Sequence, residues 1–134
     1  MLGAEAWERA STDEERGRIV AEMEAAMAAG CFGFSTSFFD TDRRARPVPS
    51  RRADRAELEA MTDVLARNGA GFVEFIPNQS VEDPRQDLDL MAQILGSRGV
   101  PGTWNGLVVS KMAPEACALL ADHAEKQRAE GLEI

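Results

Sequence analysis

A single acidic residue, Glu74, lies within the apolar segment GFVEFI. Alternation along an extended chain places Glu74 on one face together with Phe72 and Ile76. Val73 and Phe75 then form the opposite face. An unpaired carboxylate in apolar surroundings is costly, so Glu74 needs either a structural partner or a function. We predict that Glu74 is a catalytic general base or an oxygen ligand. The alternative is a structural ion pair.

Six further polar residues lie at or just after the ends of apolar segments, where the loops that follow buried strands begin. Their hydroxyl, amide and ammonium groups suit hydrogen bonding to a substrate carboxylate or carbonyl. Hydroxyls at such positions equally terminate a strand, so a structural role competes with the functional one. The predicted substrate-binding residues are Ser35, Thr36, Ser37, Asn78, Asn105 and Lys111.

The remaining residue types capable of chemistry indicate structure rather than a site. His123 is the only histidine, and it lies on a predicted helix at helical spacing with apolar residues, which is typical of a boundary residue. Cys31 and Cys117 have no CxxC spacing, so we expect reduced thiols in or near the core rather than a zinc ribbon or a disulfide. Apart from the alternative of an oxygen ligand at Glu74, no residue of this chain is predicted to bind a metal.

Five arginines and two prolines lie between Arg43 and Arg52. Proline suits neither a helix interior nor a sheet interior, so this segment is predicted to be a long exposed loop. Its positive charge would attract an anionic substrate if the loop closed over a site. The alternative is a solvated surface loop.

Helices and strands must alternate to position these residues. Apolar residues at helical spacing predict helices over about 12–29, 54–68, 83–96 and 114–131, and short apolar segments predict strands that start near 31, 71, 100 and 132. The first of these strands is expected to cover about 31–37. The third is the weakest, because VPGTWNGLVV contains proline and glycine.

Three of the helices have clear sequence signals at their amino ends. Thr12 and Glu15 form a capping box, and Asp54 is predicted to cap the second helix. Asp83 followed by Pro84 predicts an N-cap with proline at the first helical position. These signals predict where each of the three helices begins.

Regular alternation of helices and strands predicts an α/β fold with a parallel sheet covered by helices. It is compatible with an open doubly wound sheet or with part of a (β/α) TIM-type barrel. A complete barrel needs about 250 residues, and the 134 residues of this chain provide about four βα units. Because the chain opens on a helix and closes at a predicted strand, residues 1–134 are expected to be one fragment of a larger barrel. Unpaired sheet edges then favour a homodimer or aggregation.

Composition excludes two classes of partner. The net charge of −8 would repel a phosphate backbone, so nucleic acid is not expected as a partner. Apolar segments fall far short of the roughly 20 residues needed to span a bilayer, and the amino end lacks the pattern of a signal peptide. We therefore expect a cytoplasmic protein that does not contact a membrane.

Three segments resemble one protein family in consecutive order. TDEERGRIVAEMEAAMAAGCFGFSTSF is similar to the region where an alanine-rich helix leads into a GAxGFST strand in the N-acyl-D-amino-acid deacylases, the D-aminoacylase or amidohydrolase-3 group of the amidohydrolase superfamily. RPVPSRRADRAELEAM resembles the loop and helix that follow this strand, and HAEKQRAEGLEI resembles a helix before a later strand. The resemblance extends over essentially the whole chain and implies an internal portion of a metal-dependent-hydrolase barrel.

The resemblance implies hydrolysis of a carbon–nitrogen, non-peptide amide bond in an N-acyl amino acid or similar small molecule, with zinc activating a water. The family holds its metal with an HxH pair, histidines on two middle strands and an aspartate. This chain contains no HxH, and Phe75 with Ile76 and Trp104 with Asn105 occupy the two middle-strand positions. The isolated chain is therefore expected to be inactive.

A second class of function remains open. A non-catalytic, small parallel α/β module that dimerises and binds a ligand or partner agrees with the absence of the histidines. A sedimentation measurement separates the two: a discrete, cooperatively unfolding dimer favours the module, whereas polydisperse material favours an interrupted barrel. A nucleotide binder of flavodoxin type is disfavoured, since no GxGxxG or GxxxxGK segment is present.

Overall fold

The computed structural model describes residues 2–109, 111 and 114–132. Within these residues the chain forms four α-helices, three strands and two short 3-10 helices. The helices are α1 (Asp13–Ala28), α2 (Arg55–Asn68), α3 (Gln86–Gly96) and α4 (Ala116–Ala129), and the strands are β1 (Gly33–Ser37), β2 (Phe72–Ile76) and β3 (Gly102–Trp104). The 3-10 helices are Gly3–Trp7 and Pro49–Arg52.

The predicted caps of α1 and α2 are confirmed. Glu15 N donates to Thr12 Oγ1 at 3.3 Å, and Thr12 N donates to Glu15 Oε2 at 2.8 Å, which completes a capping box. Asp54 Oδ1 accepts a hydrogen bond from Glu57 N at 2.8 Å. Gly69 ends α2 in the left-handed conformation with φ of 67°, which glycine adopts without steric cost.

The predicted starts of α3 and α4 are wrong by a few residues. Asp83 does not cap α3, which begins at Gln86. The Asp83 carboxylate instead accepts hydrogen bonds from the backbone N and the Nε of Arg85, and this local turn competes with a helical cap. Helix α4 begins at Ala116 rather than at Pro114. The strand predicted from 132 falls on residues 133 and 134, which lie outside the described part of the chain.

Two strands begin later than predicted, because the first residues of each predicted strand are hydrogen-bonded to the end of the preceding helix. Cys31 N donates to Ala26 O at 3.1 Å, so β1 begins only at Gly33. Val100 N donates to Leu95 O at 3.1 Å, so β3 begins at Gly102. Cys31 is exposed, contrary to the expected position near the core, and Cys117 is half-buried.

The three strands form one parallel sheet in the order β1-β2-β3. The register pairs Ser35 with Glu74 and Glu74 with Thr103. Three strands in sequential order occur in a (β/α) barrel and also in one half of a doubly wound sheet.

The two faces of the sheet have different surroundings. Val73 and Phe75 are fully buried, and they form one apolar cluster with residues from all four helices. We call this side of the sheet the helix face. The opposite side carries Phe72, which is 43% exposed, together with exposed Ser35 and Thr103. We call it the open face. The predicted alternation along β2 is therefore confirmed.

Parallel strands in sequential order need crossovers of one hand, and such crossovers place every connecting helix on the same side. The apolar cluster agrees, because it packs the helix face against residues of α1, α2, α3 and α4. Among the described residues, no helix has both the length and the apolar character required to cross a bilayer.

Candidate functional site

A polar row crosses the middle of the open face. Ser35, Glu74 and Thr103 are register partners on three neighbouring strands, and their side chains point to the same side. Neighbouring strands lie about 4.8 Å apart, so these side chains are within reach of one small molecule. The row combines one carboxylate with two hydroxyl groups.

Asn105 joins this row from the residue that follows β3. Its Nδ2 donates a hydrogen bond to Glu74 Oε1 across 31 positions of sequence. Its backbone N donates to Phe75 O at 3.2 Å, which continues the ladder beyond β3. The structural partner that Glu74 requires is thus a neutral amide, and no ion pair to Glu74 occurs among the described residues.

Three predicted residues therefore come together on the open face: Ser35, Glu74 and Asn105. Thr36 does not join them, because it points to the helix face and is 7% exposed. Ser37 is 6% exposed, and its Oγ accepts hydrogen bonds from Phe39 N and Asp40 N. The Ser37 hydroxyl thus stabilises the loop after β1. Lys111 is exposed, and the residues on both sides of it lie outside the described part of the chain.

Asn78 lies just after β2 and joins this end of the sheet to α3. Its backbone N donates to Asp87 Oδ2 at 2.7 Å, and its own Oδ1 accepts from Ser80 N at 3.1 Å. Burial raises the pKa of the Asp87 carboxyl, whereas the hydrogen bond from Asn78 and the nearby charge of Arg51 lower it. Asp87 was not among the predicted site residues, since a carboxylate in the first turn of a helix is common.

The arginine-rich loop is anchored to the rest of the protein. Asp42 Oδ1 accepts hydrogen bonds from the backbone N of Arg44 and of Arg46, and the guanidinium of Arg46 lies 4.4 Å from the ring centre of Trp7. Arg51 donates to Phe39 O at 2.9 Å. Backbone and side-chain bonds thus hold this loop against the carboxyl end of β1 and the first 3-10 helix.

Two grooves are candidates for binding a ligand. One of about 380 Å³ runs along the unpaired edge of β3, where Thr103 and Asn105 line it opposite α4. The other, of about 430 Å³, lies between α3 and α4, away from Glu74. We assign the site to the first groove because it adjoins the polar row.

His123 lines the second groove. Its Nε2 lies 2.6 Å from Asp89 Oδ1, which also accepts a hydrogen bond from Gln127 Nε2 at 3.0 Å. This cluster connects α4 to α3. It contains one carboxylate and one imidazole, and its contacts are within the helical layer.

The donor groups of the open face do not fit a zinc ion. Zinc sites in proteins use imidazole, thiolate and carboxylate ligands, usually three or four of them. The open face offers the Glu74 carboxylate, an amide and two hydroxyl groups. Across the described part of the chain, no three His, Cys, Asp or Glu side chains come close enough to hold a metal ion.

Sequence reasoning missed two residues near this site. Thr103 follows from register once β3 is paired with β2. Gln79 is 9% exposed and bonds to the segment after β3, and nothing in the sequence distinguishes it from an ordinary loop residue. Comparisons of the chain with family models, with curated proteins and with solved structures found no match.

Proposed function

We propose that this chain is a section of a (β/α) TIM-type barrel from a hydrolase that acts on carbon–nitrogen, non-peptide amide bonds. In this proposal the open face is the interior of the barrel. The substrate is an N-acyl amino acid or a similar small amide, as the resemblance to the N-acyl-D-amino-acid deacylases implies. The isolated chain is inactive.

One observation carries the barrel assignment: the parallel strands lie in sequential order, and helices cover one face of the sheet only. In a (β/α) barrel the helices form an outer ring, and the inner face of the sheet is enclosed by the other strands. The sequential order of β1, β2 and β3 and the one-sided apolar cluster agree with this arrangement. The uncovered polar row agrees with a face that meets a ligand.

The proposed chemistry places Glu74 as the general base. Asn105 Nδ2 bonds to one carboxylate oxygen, and Glu74 Oε2 accepts no hydrogen bond within the described part of the chain. That oxygen takes a proton from water as the water oxygen attacks the amide carbonyl. The carbon–nitrogen bond then breaks, and the leaving amine takes the proton. Ser35 and Asn105 orient the substrate by hydrogen bonding.

Because zinc does not fit the described donor groups, we assign no step of this reaction to a metal. The zinc that the resemblance to the N-acyl-D-amino-acid deacylases implies would need ligands from outside the described residues. Zinc measured by elemental analysis of the isolated chain is expected at well below one ion per chain.

The test is a direct assay of the isolated chain. Incubation with N-acetyl-D-amino acids is expected to release no acetate above the rate of a buffer control. Turnover accompanied by stoichiometric metal would overturn the assignment of this chain as an incomplete site.

Ligand binding tests the position of the site independently of turnover. N-acetyl-D-amino acids at millimolar concentration are expected to shift the backbone amide resonances of Ser35, Glu74 and Thr103. Glu74→Gln keeps the shape of the side chain and is expected to change these shifts. Glu82→Gln removes a charge from an exposed loop and is the matched control. Shifts clustered in the groove between α3 and α4 would place the site elsewhere.

A second candidate function is a non-catalytic module that dimerises and binds a ligand or partner. The observation that favours it is the exposed apolar surface beside β3, where Leu107 and Val108 are 50% and 59% exposed. A discrete, cooperatively unfolding dimer in sedimentation would favour this module over the interrupted barrel.

A further inference from the structure

Gln79 is a buried polar residue in the loop between β2 and α3, and both ends of its amide are bonded. Its Nε2 donates to Gly106 O, and its Oε1 accepts from Val108 N at 3.3 Å. Cys117 Sγ, in the first turn of α4, also lies 3.7 Å from Oε1. One side chain therefore connects the loop after β2 with the segment after β3 and with α4.

The segment after β3 has little else to hold it. Residues 105–109 form no helix or strand, and Gly106 has φ of 89°, in the region that favours glycine. Leu107 is half exposed. In the described part of the chain, the backbone of this segment forms three hydrogen bonds: Asn105 N to Phe75 O, and those of Gly106 O and Val108 N to the Gln79 side chain. The Gln79 amide thus defines the path of residues 106–108.

This path determines where Asn105 lies, because Gly106 is its immediate neighbour. A shift of Gly106 moves the Asn105 side chain relative to Glu74, and hydrogen bonds weaken steeply as their angle departs from linearity. A buried amide that lost its partners would cost free energy, so the two Gln79 hydrogen bonds favour this path of residues 106–108 over others.

We propose that Gln79 is the positioning residue of the open-face site, which holds the Gly106–Val108 segment so that Asn105 can orient the Glu74 carboxylate. The inference rests on the proposed function for the role of Glu74. It goes beyond that function by assigning a residue that touches neither the substrate nor Glu74. Gln79 acts across 27 positions of sequence, from one strand end to the next.

The test measures the Asn105 side chain in the ligand-free chain by nuclear magnetic resonance. The Asn105 Nδ2 resonance is identified by its absence in Asn105→Ala. In Gln79→Met, which keeps the length of the side chain and removes both hydrogen bonds, exchange of the Asn105 side-chain amide with solvent is expected to accelerate at least tenfold. Gln79→Glu keeps the acceptor for Val108 N and loses the donor to Gly106 O, so a smaller acceleration is expected.

Gln127→Met is the matched control. Gln127 is also a buried glutamine, 6% exposed, but it bonds to Asp89 in the helical layer. Its replacement is expected to destabilise the fold without changing Asn105 exchange. Equal acceleration in both variants, or no acceleration in folded Gln79→Met and Gln79→Glu, would overturn the positioning role.

Failure of the proposed function gives a different result. If the parent chain shows no resonance shift with N-acetyl-D-amino acids, the proposed substrate is wrong. The exchange of the Asn105 side-chain amide is measured without ligand, so it still tests the positioning role of Gln79. If the parent chain binds, Gln79→Met is expected to weaken binding at least tenfold. Unchanged affinity in a variant with accelerated exchange would refute the inference alone.

Discussion

The carboxylates of Glu74, in the middle of β2, and of Asp87, in the first turn of α3, differ in how they are satisfied. Glu74 receives an amide hydrogen bond on the open face, whereas Asp87 receives the backbone N–H of Asn78 where solvent is partly excluded. Partial burial disfavours the charged form of Asp87 and raises its pKa. The two carboxylates therefore differ in hydrogen-bond partner and in exposure to solvent, although both residues are acidic.

Asp87→Asn is expected to stabilise the protein near neutral pH. The raised pKa means that the carboxyl favours folding in its protonated form, and this contribution is lost as pH rises through the pKa of the folded state. Asparagine keeps an acceptor for Asn78 N and has no charge to desolvate. Urea unfolding at pH 7 is expected to show a gain of about 0.5 kcal/mol after solvent screening. A gain that did not shrink at pH 3 would contradict this explanation.

Gly33 is the residue with the least room for a side chain. Its φ is 148°, and a Cβ at this position would lie 1.9 Å from Phe72 O. Gly33→Ala is therefore expected to disrupt the β1–β2 pairing and lower the unfolding free energy by at least about 2 kcal/mol.

Gly17→Ala is the control for this substitution. Gly17 lies in α1, and a Cβ there would meet nothing within 4 Å. Alanine is expected to stabilise α1 by about 0.5–1 kcal/mol. Chemical denaturation of the two variants measures the contrast, and equal effects would show that the close approach to Phe72 is relieved by movement of β1.

At the scale of elements, α1 has the most strongly bonded amino end. Glu15 accepts hydrogen bonds from Arg9 at 2.7 and 2.9 Å and from Thr12 N, and these bonds lower its pKa to about 2. Arg9, which follows the first 3-10 helix, thereby connects the amino-terminal segment to α1 through charged hydrogen bonds.

Acid is expected to weaken this connection. A lowered pKa means that Glu15 contributes stability above its unfolded value of 4.5, and the contribution is lost as pH falls towards about 2. Glu15→Gln is expected to destabilise the chain at pH 7 and to unfold with a smaller dependence on pH between 5 and 2. Circular dichroism melts across this range measure the difference, and parallel pH profiles for parent and variant would refute the assignment.

At the scale of the whole molecule, the sheet has two unpaired edges and one uncovered face among the residues that the structure describes. In a parallel sheet the backbone N–H and C=O groups of one residue point to the same neighbouring strand. Phe72 N bonds to Phe32 O and Phe38 N bonds to Ile76 O, so the backbone of Ser35 points away from β2. Among the described residues, eight large apolar side chains are exposed, and six of them lie on the open face or beside the outer strands: Phe32, Phe39, Phe72, Leu107, Val108 and Val109.

The isolated chain is therefore expected to self-associate as its concentration rises. Ser35→Pro removes the outward N–H of the free β1 edge and is tolerated by the monomer, since proline is acceptable on an edge strand. Analytical ultracentrifugation is expected to show weaker association for Ser35→Pro than for Ser35→Ala, which keeps the N–H. A parent chain that stays monomeric at millimolar concentration would exclude association through this edge.

Local sequence signals predicted the elements and failed where two local interactions compete. The capping box at Thr12 and the cap at Asp54 depend on residues three positions apart, so they are visible in the sequence. Asp83, like Asp54, is an aspartate at a predicted N-cap position. Its carboxylate accepts hydrogen bonds from Arg85 instead, and the helix begins later. The sequence alone does not distinguish the cap from the turn, because both use the same Asp83 carboxylate.

The candidate site was predictable in part for the same reason. Alternation alone placed Glu74 opposite Val73 and Phe75, because the period of a strand is two. The bonds of Glu74 to Asn105 and of Gln79 to Gly106 span 31 and 27 positions. Such contacts exist only once β2 and β3 are in register, so tertiary structure decided them.

The sequence by itself thus determined the alternation of helices and strands and the face to which each strand residue points, because both depend on neighbouring residues. The tertiary structure decided the sequential strand order, the single covered face and the grouping of Ser35, Glu74 and Asn105. Those features depend on which apolar surfaces pack together, and burial does not distinguish one apolar partner from another until the chain has folded.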